Sequence, residues 1–333
     1  MNKSSLVSVI IPSLNESKDI RDVIEHVLSN SYKNIEIICV DDSTDDTPKI
    51  ISEFQDQGVI LLRPDKRRGL NYAYNLGMKS ASGEILVLLT SDNMMPKDFI
   101  DNILKHFLNG KEVVVPLSMV KNKNSLFARY HQSMQSYKYL FIEPVWSEGF
   151  SLRSDVAKEH GYFLYDSNMS INGGSDITFA TELLEKYNAI YDPEIIMEHV
   201  WPDNHQELIN QQVDRGIGFT DTTFYYRELD FKNIIKSARI INSIYKPGNK
   251  KQNSYKLLIV FLRTIIKTLK RIIMNGVFLC FYICKYSPNG YKDYLGFLYT
   301  HNLTSISISI GEFKGVYNIL LRDILTSDKK SSN

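Results

Sequence analysis

Cysteine is scarce: three residues in 333, at positions 39, 280 and 284. None stands at paired spacing with a histidine, so neither a zinc site nor a disulfide framework is indicated, and a reducing compartment is the expectation. Also lacking are a Gly-x-Gly-x-x-Gly turn after the first apolar run and any Gly-Lys-Ser/Thr loop, which argues against a dinucleotide enzyme and a P-loop NTPase. The uncharged run Ile272–Cys284 has 13 residues, short of the ~20 a bilayer span needs. The apolar stretch from Leu6 to Ile11 does not form the sequence of basic region, long apolar core and small-residue cleavage site, so no signal peptide is read. Acid is absent from residues 231–292, which hold 13 Lys and Arg and no Asp or Glu. Residues 1–230 carry 22 Lys and Arg against 34 Asp and Glu, and residues 293–333 carry four of each. The formal net charge of +1 therefore hides an acidic body and a basic appendage. That split points to an anionic partner for the appendage.

What is present in the first 118 residues is an alternation of apolar runs and amphipathic helices. Strands are expected at 7–11, 35–40, 59–62, 85–89 and 113–116. Between them, Ile20, Val23, Ile24, Val27 and Leu28 fall at helical spacing. Thr47-Pro48 reads as a helix start, 70–81 as a helix, and Pro96 as the start of another. Strands without alternation are buried on both faces, so a mostly parallel sheet flanked by helices is expected. Ligands of such sheets bind beyond the strands' carboxyl ends. The candidate loops are then 12–16, 41–45, 63–69 and 90–95. These loops hold Glu16, Asp41, Asp42 and Asp92. Converging carboxylates repel one another and suit a divalent cation with a base or ribose. Asp is also simply a good turn former, and composition alone leaves both readings open.

Four segments in order carry a resemblance. Val7-Ser-Val-Ile-Ile-Pro-Ser-Leu-Asn-Glu16, Ile38-Cys-Val-Asp-Asp-Ser-Thr-Asp-Asp-Thr47, Gly69-Leu-Asn-Tyr-Ala-Tyr-Asn-Leu-Gly77 and Ser82-Gly-Glu-Ile-Leu-Val-Leu-Leu-Thr-Ser-Asp92 resemble the family 2 glycosyltransferases. The resemblance spans residues 6 to about 230. It implies a GT-A-type nucleotide-binding fold, a nucleotide-sugar donor linked to UDP or GDP, and a divalent cation, Mn²⁺ or Mg²⁺. By position, Pro12, Leu14 and Glu16 would flank the base and ribose, Asp42 would accept a hydrogen bond from the base, and Ser91 would lie among the nucleotide contacts. Leu14 departs from a common Tyr, and Tyr74 from a common Arg. Thr90-Ser91-Asp92 keeps one acid where a pair is usual, so Asp92 is the implied metal ligand.

Farther on, Trp146-Ser-Glu-Gly149 and Leu152-Arg153 precede Gly173-Gly-Ser-Asp176, with Phe179, Ala180, Leu183, Leu184 and Tyr187 following at helical spacing. The segment resembles the family's Glu-Asp pair, with Ser175 in place of Glu. Asp176 would be the general base toward an acceptor hydroxyl; without the resemblance it is an ordinary acidic residue at a helix start. His199, after the apolar run Ile195-Ile-Met, matches a position where related enzymes hold the metal or diphosphate. Gln211-Gln-Val-Asp-Arg-Gly216 only partly resembles a processive-synthase motif, Gly216 standing for Trp, so one sugar per encounter is expected.

The appendage offers an amphipathic helix over 256–273. Its apolar face is Leu257, Leu258, Phe261, Ile265, Leu269, Ile272 and Ile273, and Arg263, Lys267, Lys270 and Arg271 lie opposite. An in-plane helix on an anionic membrane surface is expected, with docking on the acidic body as the alternative; nucleic acid is not an expected partner. The sequence thus divides into a catalytic domain, 1–230, and a basic, mainly helical region, 231–333. The expected activity is inverting sugar transfer to a glycan or lipid-linked glycan acceptor, peripheral on the cytoplasmic face of the cell membrane. Two rivals remain: a polyprenyl-phosphate glycosyltransferase, and a nucleotide-sugar-binding pseudoenzyme, given Ser91 and Ser175.

Overall fold

The computed structural model describes residues 4–141, 143–144, 146–163, 175–225, 261–262 and 264–330. The chain divides into two compact units, the first from 1–123, 138–167 and 175–201, the second from 124–137, 168–174 and 202–333.

The first unit is built on one eight-stranded sheet: β1 (Val7–Ser13), β2 (Ile35–Asp41), β3 (Val59–Leu62), β4 (Ile85–Leu88), β5 (Asn93–Met94), β6 (Val113–Val120), β7 (Phe150–Arg153) and β8 (Ala189–His199). Their spatial order is β3-β2-β1-β4-β7-β6-β8-β5. The strands β3, β2, β1 and β4 are parallel neighbours, whereas β7 runs antiparallel between β4 and β6. All seven residues of β1 and all four of β4 are buried. That burial requires cover on both faces. Helix α1 (Ile20–Leu28) supplies Ile20, Val23, Ile24 and Val27 to one core cluster. Helix α3 (Leu70–Ser80) supplies Tyr74 and Met78 to another.

Gly149, just before β7, has φ +81, a backbone state that a side chain rarely adopts. A Cβ there would also lie 2.8 Å from Phe99 and from Met197. Its N–H donates to the Leu88 carbonyl at 3.0 Å. The short strand β7 is thereby pinned to the carboxyl end of β4.

In the second unit, helix α8 (His205–Tyr225) packs on the C-terminal helix α10 (Tyr294–Lys330). A Cβ on Gly216 would sit 2.2 Å from the Ile308 carbonyl, and one on Gly311 would sit 2.0 Å from that of Val213. This close crossing explains why position 216 is glycine and not the large aromatic of a processive enzyme. Overpacking costs ~1–3 kcal/mol, and with backbone as the obstacle Gly311→Val should lie at or above the top of that range. A thermal melt unchanged by Gly311→Val would contradict this packing.

The stretch 264–270 is helical, as expected, and runs through a π turn (Arg271–Gly276) into α9 (Val277–Ile283). One expectation is corrected here. Lys267 Nζ lies 2.9 Å from Glu312 Oε1 and Arg271 Nη2 lies 3.4 Å from the same oxygen, so these two cations face a carboxylate of their own unit. Glu312 lies far along the chain, and no local spacing could reveal it. Leu257, Leu258, Arg263, Gly173, Gly174 and the expected boundary at 230/231 lie outside the described residues.

Candidate active site

Loops at the carboxyl ends of β1, β2 and β4 assemble the site, and they are stitched together before any ligand arrives. Asn15 has φ +57, tolerated by Asn better than by most residues. Its N–H donates to Ser43 Oγ at 2.7 Å, and its side-chain oxygen accepts the Thr44 N–H at 2.9 Å. The Glu16 N–H donates to Thr47 Oγ1 at 2.9 Å. Asp41 is consumed in this scaffold. It is 1% exposed, accepts from Ser13 Oγ and Ser43 Oγ, and lies 3.6 Å from Arg63 Nε. Asp42 is half-buried and accepts the Arg68 N–H at 3.3 Å. Pro12 is buried in β1, and Leu14 sits half-buried beyond it.

Tyr74 is a core residue. It is 1% exposed, donates to the Leu89 carbonyl at 2.8 Å, and stacks on Phe163 at 5.2 Å between centroids. It braces the end of β4 from behind, which gives the departure at position 74 a packing reason.

Asp92 stands beyond β4, its carboxylate accepting from Thr90 Oγ1 and Asn93 Nδ2. Its backbone carbonyl accepts the Val200 N–H at 3.1 Å. Because Asn93 pairs with His199 in the β5–β8 ladder, His199 is brought next to Asp92. His199 is 2% exposed, with Nδ1 at 2.8 Å from Ser118 Oγ and 3.9 Å from Glu148 Oε2. Sequence reasoning missed Glu148 as a site residue. The antiparallel β7 returns the chain to the end of β4 and delivers it there.

The electrostatics follow from crowding acids with little compensation. Burial raises the Asp92 carboxyl above the ordinary range, and Glu148 raises it further against the pull of His199 and Thr90. Burial first, then the charges of Asp92, Asp19 and Asp45, push Glu16 up to about 7, against a lowering hydrogen bond to the buried Ser91. Folding therefore holds a proton on Glu16 that the unfolded chain gives up near its ordinary 4.5. Its contribution to stability falls as pH rises from about 4.5 to about 7. Glu16→Gln should flatten that loss and raise the melting temperature at pH 7, on the order of 1.4 kcal/mol per pKa unit relieved. Thermal melts across that window, identical in slope for both proteins, would contradict the crowding.

Asp176 opens α7 (Ser175–Lys186) in its first turn. One turn on, Phe179 stacks on Phe163 at 4.0 Å and lies 6.5 Å from the Phe150 ring. These rings fix the helix start, and the Asp176 charge is felt at Tyr74. The structure thus brings Glu16, Ser91, Asp92, Glu148, Asp176 and His199 into the first unit's strand-end region, with Pro12, Leu14 and Asp42 along the β1–β2 rim.

Among the described residues, no three His, Cys, Asp or Glu side chains could hold a metal ion unaided. The site still fits a cation that arrives with substrate. Burial and neighbouring acids hold the Asp92 and Glu16 carboxyls above their ordinary range, a crowding that a cation would relieve, and Mg²⁺ commonly takes one or two carboxylates and completes its shell with phosphates and water. Asp92 and His199, neighbours through the β5–β8 pairing, are the residues that would hold it.

The family model described as "Glycosyl transferase family 2" matches residues 8–187. A curated relative from Escherichia coli, the UDP-Glc:α-D-GlcNAc-diphosphoundecaprenol β-1,3-glucosyltransferase WfaP, is 38% identical over 109 residues, 32% of this chain and 43% of the relative. A glycosyltransferase from Streptococcus pneumoniae, GlyG, is 37% identical over 103 residues, 30% of this chain and 34% of that protein. The chain thus spans less than half the length of either. A Methanococcus voltae protein, a dolichyl N-acetyl-α-D-glucosaminyl phosphate 3-β-D-2,3-diacetamido-2,3-dideoxy-β-D-glucuronosyltransferase, is 25% identical over 64% of this chain and 72% of its own. Among solved structures, a mannosyltransferase from Pyrobaculum calidifontis in complex with GDP-Man and Mn²⁺ superposes with a TM-score of 0.57 at 19% identity, covering 92% of this chain and 87% of that one. That likeness shows the GT-A-type fold expected from the sequence.

Proposed function

Because this chain belongs to glycosyl transferase family 2, we propose that it moves a sugar from a UDP- or GDP-linked donor to a hydroxyl of a lipid-linked glycan, with inversion. One observation carries the reading: Asp92 and His199 are neighbours through the β5–β8 pairing, in the same unit as the ring-packed start of the Asp176 helix.

In this reading the rim residues Pro12, Leu14, Glu16 and Asp42 take the nucleoside. Asp42 accepts from the base, and Leu14 packs on it without aromatic stacking. Ser91 contacts the nucleotide between Glu16 and Asp92. Asp92 and His199 would hold a divalent cation, which when bound would neutralise charge on the departing diphosphate. Asp176 takes the proton of the acceptor hydroxyl as the oxygen attacks the anomeric carbon from the face opposite the leaving group. A single displacement of that kind inverts the centre.

The acceptor class rests on the relatives. The E. coli protein is named for transfer to a sugar on diphosphoundecaprenol, and the archaeal one for transfer to a sugar on dolichyl phosphate. Both names imply a sugar acceptor on a lipid carrier, which favours a hydroxyl nucleophile and a base over a bare polyprenyl phosphate. Nucleotide sugars are cytoplasmic metabolites, so the reaction belongs on the cytoplasmic face of the membrane. A thermal-shift panel of UDP- and GDP-sugars, with and without Mn²⁺, tests the donor half. A stabilising donor that acts only with the cation is expected. A donor that binds with Mn²⁺ yet is never transferred or hydrolysed would favour the pseudoenzyme.

A further inference from the structure

Apolar surface in the second unit is turned outward. Of the 21 large apolar side chains exposed among the described residues, 16 lie between Phe261 and Tyr317. Ile266, Ile273, Phe278 and Leu295 are 65%, 65%, 70% and 75% exposed. Scattered exposed apolar residues are ordinary, but a set concentrated on one pair of helices is not.

The two helical stretches are already partners, so these side chains are not waiting for each other. The rings of Phe261 and Phe313 lie 5.3 Å apart, Thr268 Oγ1 donates to Ser309 Oγ at 2.6 Å, and the Phe281 and Tyr291 rings lie 4.9 Å apart. Alongside Cys280, Ile283 and Phe297, this hairpin buries a run of small polar residues. Thr300, Ser305, Ser307 and Ser309 are at most 5% exposed, while Ile306 and Ile310 on the same helix are 44% and 45% exposed. Water selects the reverse pattern. Small polar residues between helices with apolar side chains outside suit surroundings as apolar as the side chains themselves.

The charges point the same way. Residues 261–318 contain two acids, Asp293 and Glu312. Asp293 is buried against Arg129, and Glu312 is held by Lys267 and Arg271. The exposed charges described over this stretch are Lys270, Lys285, Lys292 and Lys314. A second copy would bring the same positive sign and be repelled; an anionic bilayer attracts it. Among the described residues no helix is long and apolar enough to cross a membrane, so contact in the plane of the interface is the mode that fits.

We propose that the hairpin of residues 264–283 and α10 seats on an anionic lipid bilayer. Its outward apolar side chains enter the acyl boundary, and Lys270, Lys285, Lys292 and Lys314 meet the headgroups. The inference stands apart from the sugar-transfer reading, since donor binding belongs to the first unit.

The test is flotation of the full-length protein with phosphatidylcholine vesicles, with and without phosphatidylglycerol. Binding is expected to be tighter on the anionic vesicles and to weaken with salt. Each of the four lysines changed to Gln should weaken it roughly fivefold, the equivalent of about 1 kcal/mol. Phe278→Ser with Leu295→Ser should abolish flotation on both vesicles while leaving the melting temperature and donor affinity intact. Three results would overturn the proposal. One is absence of flotation on either vesicle. Another is a fall in melting temperature on Phe278→Ser with Leu295→Ser, which would mean that the face is covered by the chain itself. The third is a soluble dimer that the same double change dissolves.

Discussion

Asp92→Asn is expected to abolish cation-dependent donor binding while leaving the fold intact. In the proposed site a cation would depend on the charge of this carboxylate, because the loop Thr90-Ser91-Asp92 offers no second acid. Loss of residues that merely orient a metal ligand costs about 10–100-fold in affinity, so loss of the ligand charge itself should cost at least about 100-fold. Stability should move the other way. The Asp92 carboxyl is raised by burial and by Glu148, and a neutral amide of the same shape escapes both. Thr90 Oγ1 and Asn93 keep an oxygen to donate to. Calorimetry with Mn²⁺ and the donor identified by thermal shift reads the first effect, and a thermal melt without ligand reads the second. Equal donor affinity for variant and parent in the presence of Mn²⁺ would remove Asp92 from the site.

Asp176→Asn should do the opposite: donor binding nearly unchanged, turnover lowered by ~10²–10⁴, the usual worth of a general base. The substitution conserves shape, and the Phe163–Phe179 stack at the α7 start is untouched by it. A collapse of the helix is therefore not expected to confuse the result. Transfer to a hydroxyl acceptor at the parent's rate would contradict the base assignment. It would also shift the reading toward an acceptor that is already ionised, a polyprenyl phosphate.

Five of the eight strands were legible because their residues have no alternative. The runs in β1, β2 and β4 are apolar without alternation, and each is followed by a helix or a loop rich in Asp and Asn. Such runs are stable only between two layers of helix, and that dictates the parallel order. The strands β5 and β7 were not legible. They have two and four residues, too few for any period to emerge. The first half of β8 reads Ala-Ile-Tyr-Asp-Pro-Glu, more like a loop than a strand.

Site residues divide in the same way. Glu16, Asp42 and Asp92 sit at strand ends that could be read locally, and the structure leaves them there. Glu148 becomes part of the site only because β7 doubles back between β4 and β6, and nothing near position 148 signals that return. Tyr74 looked like a ligand-side departure, yet its hydroxyl spans to Leu89 inside the core. In the second unit, the amphipathic pattern around 261–273 was legible. The capture of Lys267 and Arg271 by Glu312 was not.

The most direct measurement combines the donor found by thermal shift with a synthetic N-acetylglucosamine-diphosphoundecaprenol acceptor, followed by mass spectrometry and the anomeric proton coupling of the product. One sugar added with the anomeric configuration inverted is expected, with no product in EDTA, recovery on adding Mn²⁺, and none from Asp92→Asn. Product formed at full rate in EDTA, or with the donor's configuration retained, would contradict this.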